Sequence, residues 1–189
     1  MLLTGIGGQG IQLAAQVLAR AALAEGREVQ LFGSYGGMMR GGNTEATLVV
    51  AEEGVEAPPT VDRAWSAVVM HHDYSEPTLA RVGPGSVLFV NSTVFDRPLE
   101  RPDLEVVEVP VTDLAVDLGN VMAASMVMVG VFVTVTSLVS LDHAVDAVAA
   151  SLPPYRAKHV DLNVRAVRAG ADAAPPVRVA AWEPAAVGS

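Results

Sequence analysis

Two glycine-rich stretches hold most of the groups that could do chemistry in this chain. The first runs through Gly5, Gly7, Gly8, Gln9 and Gly10, with the spacing G-x-G-x-x-G. An apolar run, Leu2-Leu3, leads into it, and a helix-patterned segment from Ile11 to Glu25 follows at once. Glycine permits left-handed backbone and close approaches that a Cβ would block. The free amides and partial positive charge of the new helix N-terminus then suit a phosphate or another anion. The second stretch, Gly33 to Thr44, frames one cation, Arg40, with Ser34, Tyr35, Gly41, Gly42 and Asn43 around it. A guanidinium fork held in glycine is reachable and matches carboxylate or phosphate. Both stretches point to anion binding, and neither supplies a bond-making group.

The remaining polar clusters read as structural. His71-His72-Asp73 contains metal-ligating residue types. Adjacent residues on a strand face opposite ways, and His143 and His159 fall on other elements, so no metal is expected. The acids Asp62, Asp73, Glu52 and Glu53 read as solvated surface groups. Neither G-x-S-x-G nor a P-loop occurs. No catalytic residue is assigned.

A dinucleotide site can be tested within the sequence. Such a unit carries Asp or Glu about 20 residues beyond the glycines, at the end of its second strand. Here the second strand reads Glu28 to Phe32 and closes in Gly33-Ser34-Tyr35 without an acid.

The elements that must position these groups alternate. Strands are expected over Ala46–Val50, Trp65–Met70, Val87–Val90 and Leu104–Val109, with a short helix over Ser75–Ala80. Helices are expected over Leu141–Ser151 and Tyr155–Ala169, the latter capped by Gly170. The pattern predicts a single Rossmann-like α/β domain, with a mostly parallel sheet and helices on both faces. Ligands in such sheets gather at strand C-terminal ends, where Gly5 to Gly10, Ser34, His71, His72 and Asn91 fall. The segment from Leu118 to Leu141 has no charged residue and is long enough for a bilayer. Its flanks are Asp117 and Asp142, and polar residues interrupt it, so a buried helix is expected. Valines at 127, 129, 131, 133 and 135 alternate as in a strand and pull the other way. The domain is expected to span residues 1–170, with 171–189 a tail or arm, disordered by default.

Composition bounds the partners. The formal net charge is −9, so no basic patch is available to displace counterions from nucleic acid or to meet an anionic membrane. There is no cysteine, hence no thiolate nucleophile and no cysteine-held iron–sulfur cluster in this chain. The beginning of the chain does not fit a signal peptide, and a cytoplasmic location is expected.

The two stretches together carry a resemblance. GIGGQG followed by a helix, then SYGGMMRGGNTEATLVV, resembles the gamma subunit, or gamma domain, of the 2-oxoacid:ferredoxin oxidoreductases, whose members carry G-x-GGQG and SYG-x-x-RGG. The likeness continues through Gly83–Asn91, Gly119–Gly130 and Asp161–Gly170, and is closest to the 2-oxoglutarate type. The chain departs from the family pattern at Gly37-Met38-Met39 and at His71-His72. The resemblance implies an accessory role in a complex that oxidatively decarboxylates a 2-oxoacid to its acyl-coenzyme A. It implies catalytic alpha- and beta-type partner subunits holding thiamine diphosphate, magnesium and iron–sulfur clusters, with ferredoxin as the acceptor. The GDG motif for thiamine diphosphate, familiar from the catalytic partner, is absent here. Coenzyme A enters as co-substrate, and the glycine corner with Arg40 is a place for one of its phosphates. A free-standing dinucleotide- or flavin-binding oxidoreductase, or a nucleotide-binding regulatory module, stands as the alternative.

Overall fold

The computed structural model describes residues 1–35, 41–55 and 61–182. Its strands are β1 Leu2–Ile6, β2 Glu28–Tyr35, β3 Asn43–Ala51, β4 Ala64–Val69, β5 Val82–Asn91 and β6 Glu105–Val109. Its helices are α1 Ile11–Ala24, α2 Glu76–Leu79, α3 Val111–Asp117, α4 Ala124–Thr136, α5 Leu141–Ser151 and α6 Val160–Ala173. Short 3₁₀ turns at Val121–Ala123 and Pro154–His159 precede α4 and α6.

The sheet order is β2-β3-β1-β4-β5-β6. Strands β1, β4, β5 and β6 are parallel, whereas β3 pairs antiparallel with both β1 and β2. The expected mostly parallel sheet is therefore present, with an antiparallel hairpin on one edge. Register explains the two cores. Leu3, Val68, Phe89 and Val107 lie in one row, and Leu2, Ala67, Leu88 and Val106 in the next. The first row meets α1, α3, α4, α5 and α6 in the main core. The second row meets a smaller cluster that includes Leu79 of α2, Phe95 and Leu99. Helices thus occupy both faces, but unequally. Among the described residues the second face is covered by α2 and the loop from 92 to 104.

The charge-free segment folds as the buried helix α4, not as a strand. Its valine alternation is overridden because α4 packs on all sides, against the sheet through Phe132 and Phe89, 4.9 Å between ring centroids, and against α1, α3, α5 and α6. No helix among the described residues is long and apolar enough to cross a membrane.

Two expectations at the C-terminus are corrected. Helix α6 does not stop at Gly170 but runs on to Ala173. Gly170 is a crossing contact, since a Cβ placed there would lie 1.8 Å from the carbonyl oxygen of Val127. The chain from 174 to 182 is not a disordered tail. The amides of Val179 and Ala181 donate to the carbonyls of Val135 and Thr136 at 3.0 and 2.8 Å, and the Trp182 indole donates to Leu138 O at 3.0 Å. The Val135 and Thr136 carbonyls are among those that the end of α4 leaves without an intrahelical donor. Arg27 closes the strap by stacking on Trp182, 4.1 Å from its ring centroid. Residues 183–189 of the expected arm lie outside the described residues.

Glu25, just beyond α1, reaches the N-terminus of α5. Its carboxylate accepts from the Ser140 amide at 2.7 Å and from His143 Nδ1 at 2.9 Å. Burial pushes this carboxyl up, but the amide and hydroxyl of Ser140 and the imidazole of His143 outweigh it, and the net direction is below the usual carboxylate range. A depressed folded value stabilises the fold above the unfolded pKa, about 4.3 for a glutamate. That contribution is lost as pH falls through the folded value. Glu25→Gln should therefore lower unfolding stability by about 1–2 kcal/mol at neutral pH. Urea unfolding of both chains should show the gap closing as pH drops below about 4. A gap that stays constant with pH would rule out the charged form as the stabilising one.

Candidate functional site

The glycine corner forms where β1 runs into α1. Gly8 and Gly10 have φ of 106° and 78°, left-handed values that a side chain disfavours. Gly10 is the N-cap of α1 and provides no side-chain cap, and the first turn carries no acid. The Gly7 and Gln9 amides donate to Gly42 O at 2.8 Å and Ile6 O at 3.1 Å. Among the described residues the amides of Gly8, Ile11, Gln12 and Leu13 have no acceptor. A helix N-terminus with free donors and no anion of its own is left for an external one.

Not every glycine of the motif faces that space. A Cβ on Gly5 would lie 2.6 Å from Gln9 Oε1 and 2.9 Å from Ile11 Cδ1, so Gly5 serves close packing. The Gln9 side chain turns inward. Its Oε1 accepts from the Ile6 amide at 2.9 Å, and its Nε2 donates to Met70 O at 3.1 Å. It sets the corner against the end of β4 and is not free for a ligand.

The second glycine stretch meets the first. Strand β2 continues through Ser34 to Tyr35, and the return strand begins at Asn43, so residues 36–42 link a hairpin. The Gly7–Gly42 hydrogen bond brings the base of this link onto the corner, and a Cβ on Gly7 would sit 3.3 Å from the Gly41 amide. Ser34 is exposed, and Asn43 is half-buried and donates to Glu45 Oε1 at 3.1 Å. Arg40 and the side chain of Tyr35 lie outside the described residues. The hairpin also accounts for the missing ribose acid. The dinucleotide fingerprint places the strand after α1 directly beside the first strand, and here β2, although it runs in the same direction as β1, is separated from it by the antiparallel β3.

Beside the corner lies a groove in two connected lobes of about 320 and 460 Å³ that share Gly8, Gly10, Leu13, Met122, Leu152 and Arg156. His159 and Asn163 line the first lobe, and Gln12 and Thr44 the second. Arg156 and His159 come from the 3₁₀ turn before α6. Arg156 puts a cation beside the corner, His159 adds a polar ring, and the sequence reading missed both. A signal was available: Arg156, Lys158 and His159 form the densest basic run in an acidic chain. The mouth is apolar. Met122 lines it, and Met122 and its chain neighbour Val121 are 58% and 50% exposed, as is Tyr155 next to Arg156 at 75%.

His71, His72 and Asn91 do lie at strand ends, outside this groove. Asn91 is fully buried, and its Nδ2 donates to Met70 O at 3.2 Å and to Thr112 Oγ1 at 2.8 Å, so it is a structural clamp.

Comparison with known proteins places the whole described domain in one lineage. The sequence model for pyruvate ferredoxin/flavodoxin oxidoreductases matches residues 1–173. The chain is 30% identical to the 2-oxoglutarate synthase subunit KorC of Methanothermobacter marburgensis, over 89% of this chain and 92% of that subunit. It is 28% identical to the ketoisovalerate oxidoreductase subunit VorA of the same organism, covering 90% of this chain but only 35% of that relative. In structure it superposes on a keto/oxoacid ferredoxin oxidoreductase gamma subunit from Geobacter sulfurreducens with a TM-score of 0.77, at 25% identity, covering 92% of this chain and 96% of that one. A likeness in fold alone extends to the 2-oxoglutarate:ferredoxin oxidoreductase of Magnetococcus marinus, solved with 2-oxoglutarate, coenzyme A and succinyl-CoA bound. There the TM-score is 0.81 at 19% identity, over 94% of this chain and 32% of that one.

Proposed function

The chain belongs to the pyruvate ferredoxin/flavodoxin oxidoreductase family, and from that premise we propose that it is the accessory gamma-type subunit of a 2-oxoacid:ferredoxin oxidoreductase complex. The complex converts a 2-oxoacid and coenzyme A to the acyl-coenzyme A and carbon dioxide, and passes electrons to ferredoxin. The end-to-end match to a separate gamma subunit carries this reading. Alpha- and beta-type partners hold thiamine diphosphate, magnesium and the iron–sulfur clusters. The donor set of this chain does not fit a cluster, since it has no cysteine.

Within the complex this chain does two things. Its apolar rim at Val121, Met122 and Tyr155 packs on the catalytic subunits. Its glycine corner and Arg156, joined by Arg40 from the hairpin link, hold a phosphate of coenzyme A. Charge supports the second role: the groove sets Arg156 beside the free amides of the corner in a chain whose formal net charge is −9, which favours an anion there.

The test is reconstitution. The chain alone should turn over no 2-oxoacid and bind neither thiamine diphosphate nor an iron–sulfur cluster. Affinity capture of the tagged chain from native cells should bring down thiamine- and cluster-bearing chains, and that assembly should form acyl-coenzyme A. Turnover by the isolated chain, or a nicotinamide- or flavin-dependent activity, would favour a free-standing enzyme. Tight nucleotide binding with neither turnover nor partners would favour a regulatory module.

A further inference from the structure

Strand β4 ends at Val69, and Met70 is held by Gln9 and Asn91 through its carbonyl. The next residues, His71, His72 and Asp73, have already left the sheet. The alternation that would separate their side chains no longer applies. The two imidazole centroids lie 4.5 Å apart, and one ligand atom from each of the three residues falls within 4.8 Å of the others. The expectation of no metal rested on those side chains facing opposite ways, and the geometry removes that ground.

The protonation pattern of His72 follows from its neighbours. Its Nδ1 lies 2.8 Å from the carbonyl oxygen of Val94 and 3.2 Å from Asp96 Oδ1. Both partners only accept, so Nδ1 carries a proton and Nε2 is the nitrogen left for a metal. That Nε2 sits 3.4 Å from Asp73 Oδ1, a separation suited to two ligands about 2.0–2.2 Å from one ion. His71 Nδ1 accepts the Asp73 amide at 3.1 Å and lies 3.7 Å from Asp73 Oδ2, so its lone pair sits beside the cluster and becomes a ligand once that hydrogen bond breaks. The two imidazoles are about one-fifth exposed and Asp73 about half, leaving one side open to solvent.

We propose that His71 Nδ1, His72 Nε2 and the Asp73 carboxylate bind a divalent transition-metal ion of the zinc class. Imidazoles select such ions over magnesium and calcium, which prefer all-oxygen sites. Three protein ligands leave a fourth position for water or an incoming group. Val94 and Asp96 play the outer role, accepting the Nδ1 proton so that His72 presents the correct nitrogen. The ion replaces the hydrogen bond from the Asp73 amide to His71, leaving that exposed amide to water, and ties the loop carrying Val94 and Asp96 to the end of β4. None of these residues lines the glycine groove, so the site is separate from the anion corner.

The experiment titrates chelator-treated full chain with zinc ion alone by calorimetry, with magnesium ion as a second titrant. One saturable zinc site per chain is expected, with no magnesium heat and a rise in melting temperature at saturating zinc. Cobalt ion should give a visible band of low-symmetry coordination. His72→Ala and Asp73→Asn should each abolish the site, Asp96→Asn should weaken it about tenfold or more, and His143→Ala should leave it intact. Asp73 is largely exposed, so its variant keeps the test valid if His72→Ala fails to fold. No saturable zinc binding to the parent chain, or unchanged binding in Asp73→Asn, overturns the proposal.

Discussion

Replacing Gly130 by valine should leave little folded chain, and Gly130→Ala should already cost roughly 4 kcal/mol or more, at the severe end of single substitutions. A Cβ on Gly130 would lie 1.9 Å from the carbonyl oxygen of Val167 and 2.8 Å from the Ala171 amide. A Cβ on Gly170 would lie 1.8 Å from the carbonyl oxygen of Val127. The contact is reciprocal: Val127 and Gly130 on α4 face Val167 and Gly170 on α6, three residues apart on each helix. Backbone meets backbone, close enough for Cα–H to carbonyl contacts. No flexible side chain stands between them to give way.

Relief would require the two helices to separate. Helix α4 is also wedged against the sheet, α1, α3 and α5, and interiors packed to crystal density do not absorb such a shift. With a total stability of about 5–15 kcal/mol for an ordinary domain, the valine variant has little left. Gly83→Ala is the control. Nothing lies within 4 Å of its Cβ position, and its expected effect is within about 0.5 kcal/mol. Urea unfolding followed by far-ultraviolet circular dichroism measures all three. If Gly130→Ala unfolds at the same urea concentration as the parent, the crossing is not the close contact described here.

That same glycine marks the limit of reading this fold from sequence. At Gly170 a helix-stop signal and a helix-crossing signal use the same residue, and only the partner helix distinguishes them. Periodicity misleads over Val127 to Val135 for a related reason. A helix apolar on every side has no polar face to reveal its period, so β-branched alternation is all that shows. By contrast, the corner from Gly5 to Gly10 was legible, because a strand, glycines at fixed spacing and a helix are consecutive in the chain. The absent acid after Phe32 was legible too, although the inserted strand β3 that separates β2 from β1 comes later in the chain. Arg156 and His159 were not assigned to the site because nothing local places residues near 156 beside residues near 10. Packing of α5 against α1 does that. The strap from 174 to 182 is held by backbone donors and one indole, which leave no composition signal.

Arg156→Glu should raise the KM for coenzyme A of the assembled complex by ten- to a hundredfold or more, with kcat nearly unchanged. A charge-assisted hydrogen bond contributes about 1.5–3 kcal/mol, and each 1.4 kcal/mol is about tenfold in affinity. Reversal adds repulsion to that loss. The loss falls on KM because a phosphate far from the reacting thiol is bound alike in ground and transition states. The isolated chain should melt at the parent temperature, since Arg156 is exposed and makes no ion pair among the described residues. Arg40→Ala should act in the same direction, because Gly41 and Gly42 seat the hairpin link against the corner. Ordering a glycine-rich link costs roughly 1–2 kcal/mol per fixed residue, so a contact of Arg40 with the ligand would have to offset that cost. Arg40→Lys should recover only part of the affinity, because an ammonium lacks the planar fork. Two readouts separate ligand from partner. If Arg156→Glu raises KM while the complex assembles normally, the groove holds coenzyme A. If instead the variant fails to assemble and the residual complex keeps the parent KM, the groove is a docking surface for a catalytic subunit. In that case the cations of the 3₁₀ turn face a partner carboxylate and not a phosphate.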